Sequence, residues 1–342
     1  MNTKERIVEL DYLRAVCAIG IIVNHYTYAV DKYYKNLFIA FPSGNGSVGY
    51  MIVTVFFILS GILLYRNYEN VDNIKFFYYK RFISIYPSFY LAYLASFIGI
   101  KLLKPDYFDK ASPIAILLTI MGFDGYTSKY INNYYTLVGD WFLGIIITLY
   151  ILYPIVVKIE RKNNIILLVI LTILFFVFID WRMLNQSSFR NIFSCLFTFY
   201  LGMIIEKYQI YKKRYLSFAS AFILLFLMFV KSITFINFNL LCHLSGICMF
   251  FLLFSVLSIV NRNSFISKML SFIGSISYEI FLIQHISVVL ICNLFDVNAY
   301  YKFWLLLLIS ILIIIVLSYV LKMICNYFIN SVFNKRVPNK NI

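Results

Sequence analysis

Apolar residues along this chain come in long runs. They follow neither the two-residue alternation of a half-buried strand nor the narrow stripe of a helix on a soluble core. Runs of about 20 residues recur to the C-terminal region, the length that carries a helix across the hydrocarbon core of a bilayer. The pattern predicts ten spans, at 9–30, 47–66, 79–104, 137–158, 163–182, 189–206, 214–234, 237–260, 272–295 and 303–326. The expected fold class is therefore all-α: a polytopic membrane helical bundle of about ten transmembrane helices. No polar stretch is long enough for a separate soluble domain. Residues 1–330 read as one integral membrane domain and 331–342 as a short basic tail. The weak alternation of a membrane barrel is absent. The first run carries Asp11, Arg14 and His25 and lacks a small-residue cleavage site, so it is not expected to be a cleaved signal.

One apolar piece breaks the rhythm. "SPIAILLTIMGF" (112–123) is only 12 residues long, which suits an interfacial or re-entrant segment better than a span. Residues 105–136 then form one long outer loop ending in the tyrosine-rich "YINNYYTL". Tyr and Asn suit sugar recognition, and they equally suit an aromatic belt at the membrane surface.

Charge sharpens this picture. Of 30 Lys and Arg, 19 fall on the side that also holds both termini, ten on the other, and Arg14 lies inside the first span. Basic loops face the cytoplasm, so both termini are expected there. The net charge of +15 would suit nucleic acid, but it is spread over short loops with no basic domain, so nucleic acid is excluded as a partner. Membrane lipids are the expected surroundings. Only 13% of residues are charged and 62% are hydrophobic, far from the roughly 25% and 45–50% of soluble domains. The six Cys (17, 195, 242, 248, 292, 325) lie in or at predicted spans without CxxC or metal spacing, and read as buried apolar thiols. No metal site is expected. No internal repeat is visible, which weakens an inverted-repeat transporter.

Candidate chemistry gathers on the first span. Arg14 and His25 are eleven residues apart, so at 100° per residue they lie about 20° apart in azimuth and about 16 Å apart along the axis. Ala18 and Ile21 fall between them on the same stripe. Taken singly, Arg14 fits an anchor reaching the interface and His25 a hydrogen-bonded buried histidine. Together they suggest a face turned to protein or water, since an uncompensated Arg in a span costs at least about 2.5 kcal/mol. Asp11, one turn before Arg14, is the local candidate partner. The other two histidines are His243, with no motif around it, and His285, in a late span seven residues after Tyr278 and on the same face.

The opening "ELDYLRAVCAIGIIVNHY" resembles the start of the acyltransferase-3 family of membrane O-acyltransferases, in which an L-D-x-L-R-A-like segment leads into an aliphatic run ending in His. Asp11, Arg14 and His25 match, while Tyr12 stands where many members have Gly. The resemblance continues in order through "FFILSGILLY" with Ser60 and Gly61, "YYKRFISIYP" with Lys80 and Arg81, and "GDWFLGIIITLYILYP" with Asp140 and Trp141. It extends to "FYLGMII" and "GSISYEIFLIQH" with Tyr278 and His285. Ser84 replaces a common basic residue, and Ile146 and Ile147 stand where many members carry Glu.

The resemblance implies an O-acetyltransferase integral to the bacterial plasma (inner) membrane, with acyl-CoA, most simply acetyl-CoA, as donor. The acceptor it implies is an extracytoplasmic or lipid-linked glycan such as capsule, O-antigen or exopolysaccharide. It places His25, Arg14 and Asp11 in the reaction and Arg14, Lys80, Arg81 and Ser60 at the donor. Trp141, Asp140, Tyr278 and His285 go to the acceptor. A homo-oligomer is compatible with it. A 16 Å gap suits an extended ligand, with nucleotide phosphates near Arg14, Lys80 and Arg81 and the thioester near His25. The competing expectations are a polysaccharide flippase or other secondary transporter, and a glycan polymerase or ligase; neither requires a thioester.

Overall fold

A computed structural model of the protein describes residues 6–30, 41, 43–109, 111–129, 135–231, 233–295 and 300–332. Its regular structure is helical. In chain order the helices are α1 (Val8–Ala29), α2 (Val48–Tyr68), α3 (Ile74–Leu103), α4 (Ala115–Met121), α5 (Asp124–Thr127), α6 (Asp140–Lys162) and α7 (Asn164–Phe178). They continue with α8 (Ile192–Lys207), α9 (Arg214–Phe229), α10 (Phe238–Leu257), α11 (Phe265–Ser275), α12 (Ser277–Leu294) and α13 (Tyr300–Val332).

Among the described residues six helices, α2, α3, α6, α10, α12 and α13, are long and apolar enough to cross a membrane. The other four predicted spans also form helices. α1 has 22 residues but carries Glu9, Asp11 and Arg14. α7, α8 and α9 have 15, 16 and 16 residues. Their length of roughly 23 Å falls short of a core about 30 Å thick.

The predicted span 272–295 begins instead as two helices. α11 ends at Ser275, Ile276 leaves helical geometry (φ −103°, ψ 9°), and α12 starts at Ser277. The apolar run is continuous across this break, so hydropathy alone does not reveal it. The segment 112–123 forms the seven-residue α4, roughly 10 Å long, closed by Gly122 in the left-handed region at φ 77°.

Asparagine starts several helices. The side chains of Asn73, Asn163 and Asn191 accept from the backbone N–H three residues on (2.9, 3.0 and 2.9 Å), and Asn237 accepts from the N–H of Asn239 (2.9 Å). Each satisfies one of the orphan donors at a helix start. Apolar side chains on α7 and α13 point outward, among them Ile165, Val169, Ile173, Leu305, Leu312 and Val316. This is the outside of a bundle solvated by lipid rather than water.

The chain divides into two compact units, Met1–Val71 with Ile145–Ser275, and Asp72–Gly144 with Ile276–Ile342. In the first, α2 packs against α1, α8 and α10. α2 and α8 run side by side at backbone contact. A Cβ on Gly61 would collide with the carbonyl oxygen of Phe199, and one on Gly202 with that of Ile58. α11 lies under the start of α1, where Gly274 meets the Asp11 carbonyl and the Tyr12 hydroxyl bonds Ser267.

In the second unit α3, α12 and α13 pack together. Ser88 of α3 donates to the buried Glu279 carboxylate of α12 (3.1 Å) and lies 3.2 Å from Cys325 Sγ of α13. Tyr86 and Tyr90 of α3 donate to the carbonyls of Met121 and Ile120 (3.0 and 2.8 Å), capping the last turn of α4.

Candidate functional site

α1 is one unbroken helix from Val8 to Ala29, so Asp11, Arg14 and His25 keep the phase that periodicity gives them. Ala18 and Ile21, between Arg14 and His25 on the stripe, are buried. The stripe therefore faces the interior of its unit rather than lipid. Asp11 pairs with Arg6 (2.7 Å) and with Arg14 (3.7 Å), which supplies the carboxylate an Arg at this depth requires. His25 is half-buried, flanked by the buried Asn24 and Tyr26. Thr27 donates to the Asn24 carbonyl (2.8 Å) in the same turn. Ser60 is half-buried on α2, beside the Gly61 that touches α8.

The other predicted site residues belong to the second unit. Lys80 Nζ stands 5.4 Å from the centre of the Phe76 ring, and the Arg81 guanidinium 5.9 Å from that of Phe77, each one turn back on α3. These cation–π contacts hold both cations along their own helix. Trp141 is buried in the first turn of α6. Asp140 is the first residue of that helix, and its side chain lies outside the described residues. Tyr278 donates to the Ile85 carbonyl of α3 (3.0 Å). His285 is exposed and lines a cavity of about 210 Å³ with Lys104, Tyr107, Thr136 and Asn293. Of the tyrosine-rich loop, residues 130–134 lie outside the described residues.

Several polar groups escaped sequence reasoning. Glu206 is buried and pairs with Arg66 (2.6 Å). Glu160 is buried and pairs with Lys207 (2.6 Å), and the Tyr65 hydroxyl reaches it at 3.4 Å. Those cations read as orienting charges because their acids lie about 50 to 140 residues away in sequence. The only signal was an acid beside a base at the end of a predicted span, as in "MIIEK". Tyr211, in the turn after α8, has its phenol pushed up to about 12 by burial and by Glu206 beside it, against a lowering by Arg66.

His243 is buried. Its Nδ1 lies 3.1 Å from Thr198 Oγ1 and its ring stacks on Phe189 at 4.5 Å. That is the packed histidine its bare sequence context suggests. None of the six cysteines is in a disulfide, and five are buried. Among the described residues no three His, Cys, Asp or Glu side chains gather as a metal site.

No curated protein and no solved structure matches this chain. A family model described as an acyltransferase domain matches residues 7–323, from the first turn of α1 into α13. The match covers most of both units and every site residue expected from the sequence. The chain is a multi-pass integral protein of the plasma membrane, and it belongs to the acyltransferase-3 family of membrane acyltransferases, enzymes that move acyl groups other than aminoacyl.

Proposed function

We propose that the protein moves an acyl group, acetyl in the simplest case, from acyl-CoA at the cytoplasmic face to a hydroxyl of an extracytoplasmic or lipid-linked glycan. The observation that carries this reading is the α1 stripe. An ion-paired Arg14 and a half-buried His25 stand about 16 Å apart on one helix, with buried Ala18 and Ile21 between them. Neither residue reaches an atom that the other touches, so a ligand engaging both must be long. The donor meets that requirement, with anionic phosphates at one end and a thioester at the other.

In this reading His25 accepts the proton of the acceptor hydroxyl as its oxygen attacks the thioester carbonyl. The tetrahedral oxyanion then collapses, the C–S bond breaks, and the leaving thiolate takes the proton back from the imidazolium. The products are the ester and free CoA. Arg14, steadied by Asp11, keeps positive charge toward the donor. The family resemblance adds Ser60, Lys80 and Arg81 as donor-side residues. Trp141, Asp140, Tyr278 and His285 serve the acceptor. In the same reading ten crossings, by α1, α2, α3, α6, α7, α8, α9, α10, α12 and α13, with the bilayer thinned locally at the short α7, α8 and α9, leave both termini in the cytoplasm.

The test is His25→Gln, which keeps size and hydrogen bonding but removes basicity. Acyl ester on the cell's surface glycan, read by NMR or mass spectrometry in a complemented deletion strain, falls by about 10²–10⁴-fold, with expression and melting temperature unchanged. Full ester content in the folded variant refutes the catalytic role. Ester content unaltered by deletion of the gene refutes the proposed function.

A further inference from the structure

Four helix termini of the first unit converge on one spot: the start of α1 and the ends of α2, α8 and α10. A cavity of about 320 Å³ opens there, within the range of small-ligand sites. Four cations line it, Arg6, Arg66, Lys212 and Arg262, against one carboxylate, Glu9.

The charges are layered. Asp11 and Glu9, which hold Arg6 and Arg262, are only 15% and 14% exposed, while the two guanidinium-bearing side chains are 67% and 63% exposed. Acid therefore lies beneath and base above. Each carboxylate occupies part of a five-donor fork and leaves the remainder directed outward. Lys212 reaches only an amide oxygen, that of Gln209 (2.5 Å), among its described contacts. One wall is aromatic: Tyr211 and Phe254 both line the cavity, with ring centres 5.0 Å apart. Cations over an aromatic wall match phosphates joined to a flat heterocycle.

We infer that this pocket holds the phosphate-bearing nucleotide end of the acyl donor, with Arg6 and Arg262 as its outer clamp. The inference rests on the proposed acyl-CoA reaction and moves the phosphate contacts from Arg14 to Arg6. Asp11 pairs with both residues, so Arg14 becomes the inner neighbour of the clamp and the donor's arm leads past it along the α1 stripe. An anionic lipid headgroup offers the same phosphate chemistry without the heterocycle.

The experiment uses the full chain in phosphatidylcholine nanodiscs, titrated calorimetrically with CoA and with dephospho-CoA. Because both side chains are exposed, Arg6→Gln/Arg262→Gln folds normally, as its melting temperature checks. It binds CoA about tenfold or more weakly than wild type and loses the wild-type preference for CoA over dephospho-CoA. Arg6→Lys/Arg262→Lys restores most of the affinity. CoA affinity within twofold of wild type in the Gln variant overturns the inference while leaving the acyl-CoA reaction standing. The same result, with loss of the stabilisation that phosphatidylglycerol gives wild type, assigns the pocket to lipid. A wild-type protein that binds no CoA overturns the inference and the proposed function together.

Discussion

Glu279 sits in the first turn of α12, where the helix dipole favours negative charge, and the Ser88 hydroxyl donates to it (3.1 Å). A carboxylate so buried depends on each partner. Ser88→Ala removes one, and the cost is about 1–3 kcal/mol, seen as a lower melting temperature in detergent. Tyr278, the preceding residue, is a gentler case. Its proton is engaged by the Ile85 carbonyl, so its oxygen can only accept from a substrate. Tyr278→Phe lowers stability by about 0.5–1.5 kcal/mol; no loss of stability would show that the hydroxyl is released to another partner. Legibility differs sharply among such residues. Arg14, His25 and Asp11 were readable because one uninterrupted helix converts spacing directly into geometry. Glu206, Glu160 and Arg6 were not, because their surroundings are made where separate helix ends meet.

Helices were legible in number and place more than in extent. The apolar runs marked α2, α3, α6, α10 and α13 to within several residues at each end, since bilayer thickness sets their length. The break at Ile276 was hidden because both sides of it are apolar. The close approach of α2 and α8 at Gly61 and Gly202 illustrates a further limit. "LSG" and "LGM" are visible in the sequence, but that their backbones touch is not. Only the absence of a side chain permits that contact, as in other small-residue membrane interfaces. Gly61→Leu forces α2 from α8 and costs about 1–3 kcal/mol or more, read as loss of the monodisperse folded peak on size exclusion. Gly99, whose added Cβ meets nothing, accepts Ala without that loss.

At the scale of the molecule, charge is the most informative sequence feature. The excess of Lys and Arg on one set of loops predicts that a reporter active only in the cytoplasm works when fused after the last helix, and that one active only outside does not. The reverse outcome would require an odd number of crossings. α4, at seven residues, is far too short to supply the extra one. What the sequence could not convey is how the helices partition, because the two units interleave along the chain.

That interleaving governs the order of assembly during synthesis. α2 leaves the ribosome well before its later neighbours α8 and α10, since α8 ends 139 residues after it. At bacterial elongation rates the delay is on the order of ten seconds. Throughout that time the bare backbone at Gly61 and the Arg66 guanidinium await partners not yet translated. The nascent chain must therefore be sheltered by an insertase or by lipid headgroups until residues 199–206 arrive. A translation arrest placed far enough beyond residue 275 to free it from the ribosome completes the first unit, and cysteines at positions 66 and 206, whose native side chains meet across α2 and α8, would be joined there by a short bifunctional crosslinker but not in a chain arrested just after α8, with position 206 still inside the ribosome.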